Sequence, residues 1–174
     1  MKNSLRYYLL AFSLLIACAA TACGDGDASG GGDGSVSYPA TATLIGDKDG
    51  VNMLTGSVYT GEGETENGSW LNSDVYTTAS FDDALKLWTG GERNTQGRPA
   101  NWFVTTGGAT ETFTSLDAVP DSPKPTAADV GSTSGRVQTG HGFIVLASDE
   151  ETYFKGFVSA ADANSITIEY APLP

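Results

Sequence analysis

Beyond about residue 38 the chain is written in short runs. β-branched and aromatic residues alternate with polar ones, and Gly, Asn, Asp or Pro interrupts them every several residues. A period of two sends alternate side chains to opposite faces of a ribbon, so such runs bury one face and fold as strands. The runs predicted as strands are Thr41 to Ile45, Asn52 to Thr60, Asp74 to Phe81, Leu85 to Thr89, Trp102 to Thr106, Glu111 to Leu116, Gly135 to Thr139, His141 to Ala147, Tyr153 to Ser159 and Ser165 to Tyr170. The only helix-like stretch is Ser80 to Leu87, where Ser80 with Asp82 and Asp83 is suited to cap a turn or two. The pattern predicts an all-β domain, an antiparallel sandwich or a strongly curved sheet of about 8–10 strands.

The last thirty or so residues carry the clearest local pattern. His141 to Ala147 reads as a mostly apolar strand, Asp149-Glu150-Glu151 as a solvated hairpin loop and Tyr153 to Ser159 as its partner. Asp162-Ala163-Asn164 then turns the chain, and Ile166, Ile168 and Tyr170 form one face of a closing strand. Together they predict a three-stranded antiparallel meander. Between Ala118 and Ser134, Pro120, Pro123 and Pro125 forbid a central strand and mark a long loop, either a lid or a connector.

The first residues follow a different grammar. Lys2 and Arg6 precede an apolar stretch from Tyr7 to Ala17, and small residues then lead to cysteine. That is the tripartite pattern of an export signal, and the run is roughly half the ~20 residues that a membrane span needs. Leu15-Ile16-Ala17-Cys18 and Ala20-Thr21-Ala22-Cys23 both resemble the lipobox of bacterial lipoproteins. Cys18 has the better residue three positions upstream. Cys23 has the better context, because residues 24–34 contain only Gly, Asp, Ala and Ser and make a flexible tether. Choosing Cys18 would also leave Cys23 as an unpaired thiol in an oxidising compartment. The expected organisation is a signal over residues 1–22, a lipidated Cys23 with tether over 23–37, and one all-β domain over 38–174. With Cys23 as the first mature residue no disulfide is available, so burial and strand pairing must hold the fold. Gly24 is not the aspartate that retains lipoproteins at the inner membrane, so the outer membrane is the expected site.

Without the signal the chain carries 7 Lys and Arg against 21 Asp and Glu, a formal charge of −14. Such a surface repels phosphate backbones and anionic headgroups, so nucleic acid is not an expected partner.

Motifs for chemistry are sparse. His141, the one histidine, lies between two glycines, with neither a G-x-S-x-G elbow nor the further His or Cys of a zinc site. Asp47-Lys48-Asp49-Gly50 resembles the opening of a calcium loop, but Val51 stands where the next oxygen ligand belongs, so a turn is expected. Glu62, Glu64 and Glu66 read as a solvated hairpin tip, and Asn67-Gly68-Ser69 matches a glycosylation sequon of little weight in a bacterial chain. Asp82 with Asp83, and Glu150 with Glu151, are adjacent rather than placed across a cleft as glycosidase acids are. Trp70, Trp88 and Trp102, helped by Tyr59, Tyr76 and Phe103, have the chemistry of a stacking platform for a sugar or flat cofactor, yet a disulfide-free core needs aromatics too. Trp88 and Trp102, flanked by apolar residues, are expected in the core, and Trp70, among Asn, Gly and Ser, at the surface.

The C-terminal segments Gly142-Phe143-Ile144-Val145-Leu146, Thr152 to Val158 and Ser165-Ile166-Thr167-Ile168-Glu169-Tyr170 resemble the tail of the HmuY-type secreted haem-binding lipoproteins, as does Thr106-Gly107-Gly108-Ala109 followed by Phe113 to Pro123. The resemblance covers about 70 residues. It implies an exported all-β fold, and a haem held by axial His or Met, for which His141 and Met53 are the available pair. The residue inventory itself points to no tight bis-ligated haem, no metal site and no cofactor.

The function expected from all this is non-enzymatic binding at the cell envelope, of a small ligand or an envelope protein, with the membrane engaged through the lipid. Trp70, His141 and Met53 are the candidate ligand-binding residues. A structural subunit of an envelope assembly is the alternative, and a carbohydrate-active enzyme the third reading.

Overall fold

A computed structural model describes residues 35–60, 72–79, 85–90, 97–103, 110–126, 129 and 137–174, all within one compact unit, Gly34–Pro174. Cys18, Cys23 and the tether, Trp70, the Glu62 to Glu66 run, the sequon, and the Asp82–Asp83 pair with most of the helix-like stretch lie outside the described residues.

The described residues form nine strands in two antiparallel sheets: β1 (Ala40–Ile45), β2 (Gly50–Val51), β3 (Val58–Tyr59), β4 (Val75–Ala79), β5 (Leu85–Thr89), β6 (Ala100–Trp102), β7 (Gly142–Leu146), β8 (Tyr153–Ala161) and β9 (Ser165–Pro172). One sheet has five strands in the order β1-β9-β8-β7-β6, and the other four in the order β3-β2-β4-β5. The fold is thus all-β, as the period of two requires. The first and last strands pair along their length, from Ala40 opposite Tyr170 to Ile45 opposite Ser165, which covers the outer edge of the meander.

The inward side chains of both sheets share one core. Ala42, Leu44, Val51, Val75, Leu85 and Leu87 meet Phe143, Val145, Phe154, Val158, Ile166, Ile168 and Tyr170 in a single buried cluster. The two sheets therefore pack face to face as a sandwich. At one end of it the rings of Tyr38, Phe154 and Tyr170 form a triangle with centroids 5.6 to 6.1 Å apart. Burial and the neighbouring Tyr38 and Asp74 push the Tyr170 phenol up to about 12.

The meander runs as expected, with Gly142 opposite Phe157 and Gly156 opposite Tyr170, and a bulge between Val158 and Ala160. Its turns are closed by carboxylates that substitute for backbone acceptors. Asp149 accepts the N–H groups of Glu151 and Thr152, and Asp162 those of Asn164 and Ser165. Those bonds hold the Asp162 carboxyl below the usual range.

β7 is buried on both faces. Phe143 and Val145 point into the main core, while Ile144 joins Phe103, Leu116, Val119 and Phe157 in a second cluster on the other side. The cover is the proline-rich segment. Phe113, Leu116 and Val119, three residues apart, lie against the sheet, Leu116–Ala118 forming one 3-10 turn. The predicted strand Glu111 to Leu116 therefore does not form, apart from a single bridge between Thr112 and His141. Further along, Lys155 pairs with Asp121 at 2.9 Å, Lys124 sits 5.0 Å over the Tyr153 ring, and Asn101 Nδ2 donates to the Pro123 carbonyl at 3.1 Å.

The predicted single strand Asn52 to Thr60 is in fact a hairpin. Asn52 Oδ1 accepts the N–H groups of Leu54 and Thr55, and Gly56, at φ 71°, donates to the Asn52 carbonyl. A side chain that bonds its own backbone, next to a glycine in the left-handed region, breaks the ladder. Of the predicted strand Gly135 to Thr139, the described residues Val137 to Thr139 are not strand, and Thr139 and Gly140 turn the chain toward β7.

Candidate functional site

The outward face of the four-stranded sheet is built by parity. In Leu85-Lys86-Leu87-Trp88-Thr89 the alternate residues Leu85, Leu87 and Thr89 are buried, so Lys86 and Trp88 face water. Trp88 is 36% exposed, which corrects its expected place in the core. The sequence signal was present, since Trp88 shares the parity of Lys86 and not of the two leucines. Trp102 is half-buried against the core, its ring 5.1 Å from that of Phe143.

Pairing then assembles a row that no single segment contains. Trp88 opposes Tyr76, Tyr76 opposes Gly50, and Gly50 opposes Tyr59, so Tyr59, Tyr76 and Trp88 lie on one line across the sheet. Directly opposed residues point to the same face, away from Val51, Val75 and Leu87. Strands are ~4.8 Å apart, which puts Trp88 beside Tyr76, Tyr76 about 10 Å from Tyr59, and makes the whole row about 14 Å long. The position between the tyrosines is glycine for a steric reason: a Cβ on Gly50 would overlap the hydroxyl of Ser73, itself fully buried.

A turn pinned to β4 supplies a carboxylate at the rim. The Lys48 N–H donates to the Thr77 carbonyl at 2.8 Å, and the Thr77 hydroxyl donates to the Gly46 carbonyl at 2.8 Å. Asp49 is 6% exposed and accepts the Ile45 N–H at 2.8 Å, so it closes the turn. Asp47, in the same turn, is exposed and acts on Tyr76, whose phenol is raised by burial first and then by the Asp47 carboxylate. The Tyr76 hydroxyl keeps its proton at neutral pH.

The face thus offers three aromatic rings, a phenol proton, a carboxylate and the Lys86 ammonium. Aromatic faces are electron-rich and attract polarised C–H groups and flat rings, while the polar groups exchange hydrogen bonds with hydroxyls. Among the described residues no three His, Cys, Asp or Glu come together as metal ligands.

Of the residues named in the sequence as ligand-binding candidates, Trp70 lies outside the described residues, and Met53 and His141 lie away from this face. Met53 is fully buried in the hairpin after β2, where its N–H donates to Asp74 Oδ2 at 2.6 Å and its carbonyl accepts the Tyr38 hydroxyl at 2.7 Å. His141, 8% exposed, precedes β7, and its Nδ1 accepts the Gln138 N–H at 3.3 Å. Burial lowers its pKa. Asn52, beside Met53, contacts Ser148 beyond the far end of β7. At ~3.3 Å per residue, on the order of 20 Å of strand separates that contact from His141, so the two side chains do not converge.

A buried ionic site, unmarked in the sequence, supports the same hairpin. Asp74 is fully buried, with Oδ1 3.7 Å from Arg98 Nε. Those two atoms and Thr89 Oγ1 have no hydrogen-bond partner among the described residues. Burial raises the Asp74 pKa, opposed by the Met53 N–H, then Arg98 and Ser148.

No family model, curated protein or solved structure matches the chain.

Proposed function

We propose that the chain is an envelope lipoprotein, anchored at the outer membrane through Cys23, that acts as a non-enzymatic binding module. Its working surface is the outward face of the four-stranded sheet. The observation that carries this reading is the in-register row Tyr59, Tyr76 and Trp88. Trp88 is exposed and Tyr59 and Tyr76 are half-buried on a face whose other side holds the core, where an aromatic open to water serves recognition better than packing. The lipobox, the Gly/Asp/Ser tether and the acidic surface suit a domain held off a membrane and kept soluble there.

Binding is tested by screening the full chain in detergent against a glycan array and a panel of flat ring compounds, with Trp88→Ala beside it. Loss of a bound ligand in that variant, with an unchanged far-ultraviolet circular dichroism spectrum, supports the reading. Retention of every bound ligand overturns it. Anchoring is tested by metabolic palmitate labelling, which Cys23→Ser abolishes while secretion continues. Label that survives Cys23→Ser but disappears in Cys18→Ser moves the anchor to Cys18.

A further inference from the structure

We propose that the free edge of the five-stranded sheet docks a second copy of this chain, β1 against β1 and antiparallel, so that the two sheets join into one. The surface is remote from the outward face that carries Trp88, and the inference stands independently of what that face binds.

The edge strands are not protected alike. The outer side of β6 is met by Asp129, whose carbonyl accepts the Ala100 N–H, and that of β5 by Val137, whose N–H donates to the Leu85 carbonyl. β3 is two residues long. β1 has six, and its pairing with β9 runs from Ala40 to Ile45 without a bulge. The stretch from Ser35 to Gly46 contains no charged side chain, and Pro39 precedes the strand. Shortness, charge, an internal proline, a bulge or a covering segment keeps an edge from recruiting another strand. Among the described residues β1 has none of these.

The ladder fixes which groups are free. The Gly46 N–H donates to the Asn164 carbonyl, so the bonded positions of β1 toward β9 are Ala40, Ala42, Leu44 and Gly46. The backbone groups of Thr41, Thr43 and Ile45 point the other way, and all three residues are exposed. Asp49 Oδ2 takes the Ile45 N–H at 2.8 Å. The N–H and C=O groups of Thr41 and Thr43 have no partner among the described residues.

That pattern is complementary to itself. About a two-fold axis at Ala42, Thr41 of one copy faces Thr43 of the other, and each of the two symmetry-related pairs exchanges both of its N–H···O bonds. Ile45, whose N–H is already used, then falls opposite Pro39 of the other copy, which has no N–H to offer. Their exposed side chains meet there. Ile45 is 65% exposed, more than any other large hydrophobic residue described. Strand pairing alone buries little area, so association is weak between free molecules. A lipid anchor that confines copies to one plane raises their effective concentration.

The test is sizing and cross-linking of the full-length lipoprotein. Sedimentation equilibrium in neutral detergent at increasing protein concentration should show monomer and dimer and nothing larger, because a two-fold contact closes on itself. Thr43→Pro removes one outward N–H from each copy without touching the bonds of Ala42 and Leu44 to β9, and should weaken association about tenfold or more. Thr43→Lys, which places a charge on the edge, should act the same way and serves if Thr43→Pro fails to fold, as judged by far-ultraviolet circular dichroism. Trp88→Ala should leave association unchanged. In lipid vesicles, oxidising a mixture of Thr41→Cys and Thr43→Cys should give more disulfide-linked dimer than either variant alone, since opposed residues of a bonded pair lie about 5.5 Å apart at Cα, within disulfide range. An excess in the mixture supports the proposal even where detergent keeps the copies apart. Monomer at every concentration with no excess in the mixture overturns it, as does a dimer that both Thr43 variants leave intact. A photoreactive residue at position 43 that captures only other envelope proteins in cells also overturns the second copy as the occupant.

Discussion

Trp88 and Leu87 are neighbours in sequence with opposite roles, because adjacent positions of a strand face opposite sides. Leu87 is fully buried, so Leu87→Ala should cost about 2–5 kcal/mol in urea unfolding. Trp88→Ala should cost less than Leu87→Ala, because about a third of Trp88 already lies in water. Equal costs would return Trp88 to the core. The Asp74–Arg98 pair makes a second residue-scale prediction. Removing the cation in Arg98→Met leaves a fully buried carboxylate uncompensated, a loss of about 3 kcal/mol at pH 7. The Asp74 pKa is already raised by burial, and losing Arg98 raises it further. A raised carboxylate is destabilising when ionised, so stability is recovered as pH falls and Asp74 takes up its proton. The gap between wild type and Arg98→Met should narrow as pH falls from neutrality toward the raised Asp74 pKa, and a gap that widens on acidification would contradict the assignment.

At the scale of elements, β7 and β8 are held by close contact between a glycine and a ring. Gly156 opposes Phe143, and a Cβ on Gly156 would overlap that ring inside the core. Gly156→Ala should therefore destabilise by about 1–3 kcal/mol, the usual cost of overpacking, measured by thermal unfolding. The turn that leads into β7 depends on a neutral imidazole, because His141 Nδ1 accepts the Gln138 N–H. A histidine whose folded pKa is depressed contributes stability that is complete above its ordinary value of about 6.5 and is lost as pH falls through that value. The stability difference between wild type and His141→Gln should thus shrink between about pH 7 and 5, and a flat difference would show that the imidazole is not coupled to folding.

At the scale of the molecule, two sheets, closed by β1 on β9 and covered on the outer side by the proline-rich strap, leave Met53 and His141 near opposite ends of β7. A haem cannot take both as axial ligands without dismantling the sandwich. Titration of the full chain with haemin should show no sharp, saturable Soret shift near one equivalent. A shift lost in His141→Ala or Met53→Ala would establish the ligation that the family resemblance implies.

What the sequence determined by itself is local, although the local turn at Asn52 reads as strand. The period of two dictated strands, the carboxylates at Asp149 and Asp162 dictated the meander's turns, and Ile166, Ile168 and Tyr170 announced a one-sided closing strand, because each depends on residues within a few positions of one another. The parity of Trp88 was legible too, though its neighbours' hydrophobicity argued for the core. Tertiary structure alone decided the rest. β7 reads as one apolar run because a segment from elsewhere in the chain, with Phe113, Leu116 and Val119, covers its second face. That demand turned an expected strand into a strap. The row Tyr59, Tyr76 and Trp88 draws on three strands, and its alignment depends on register, which is set by cooperative pairing across the sheet and by the core beneath it. The Asp74–Arg98 pair likewise joins residues distant in sequence, brought together through Gly90, whose N–H donates to the Asp74 carbonyl and whose carbonyl accepts the Arg98 N–H.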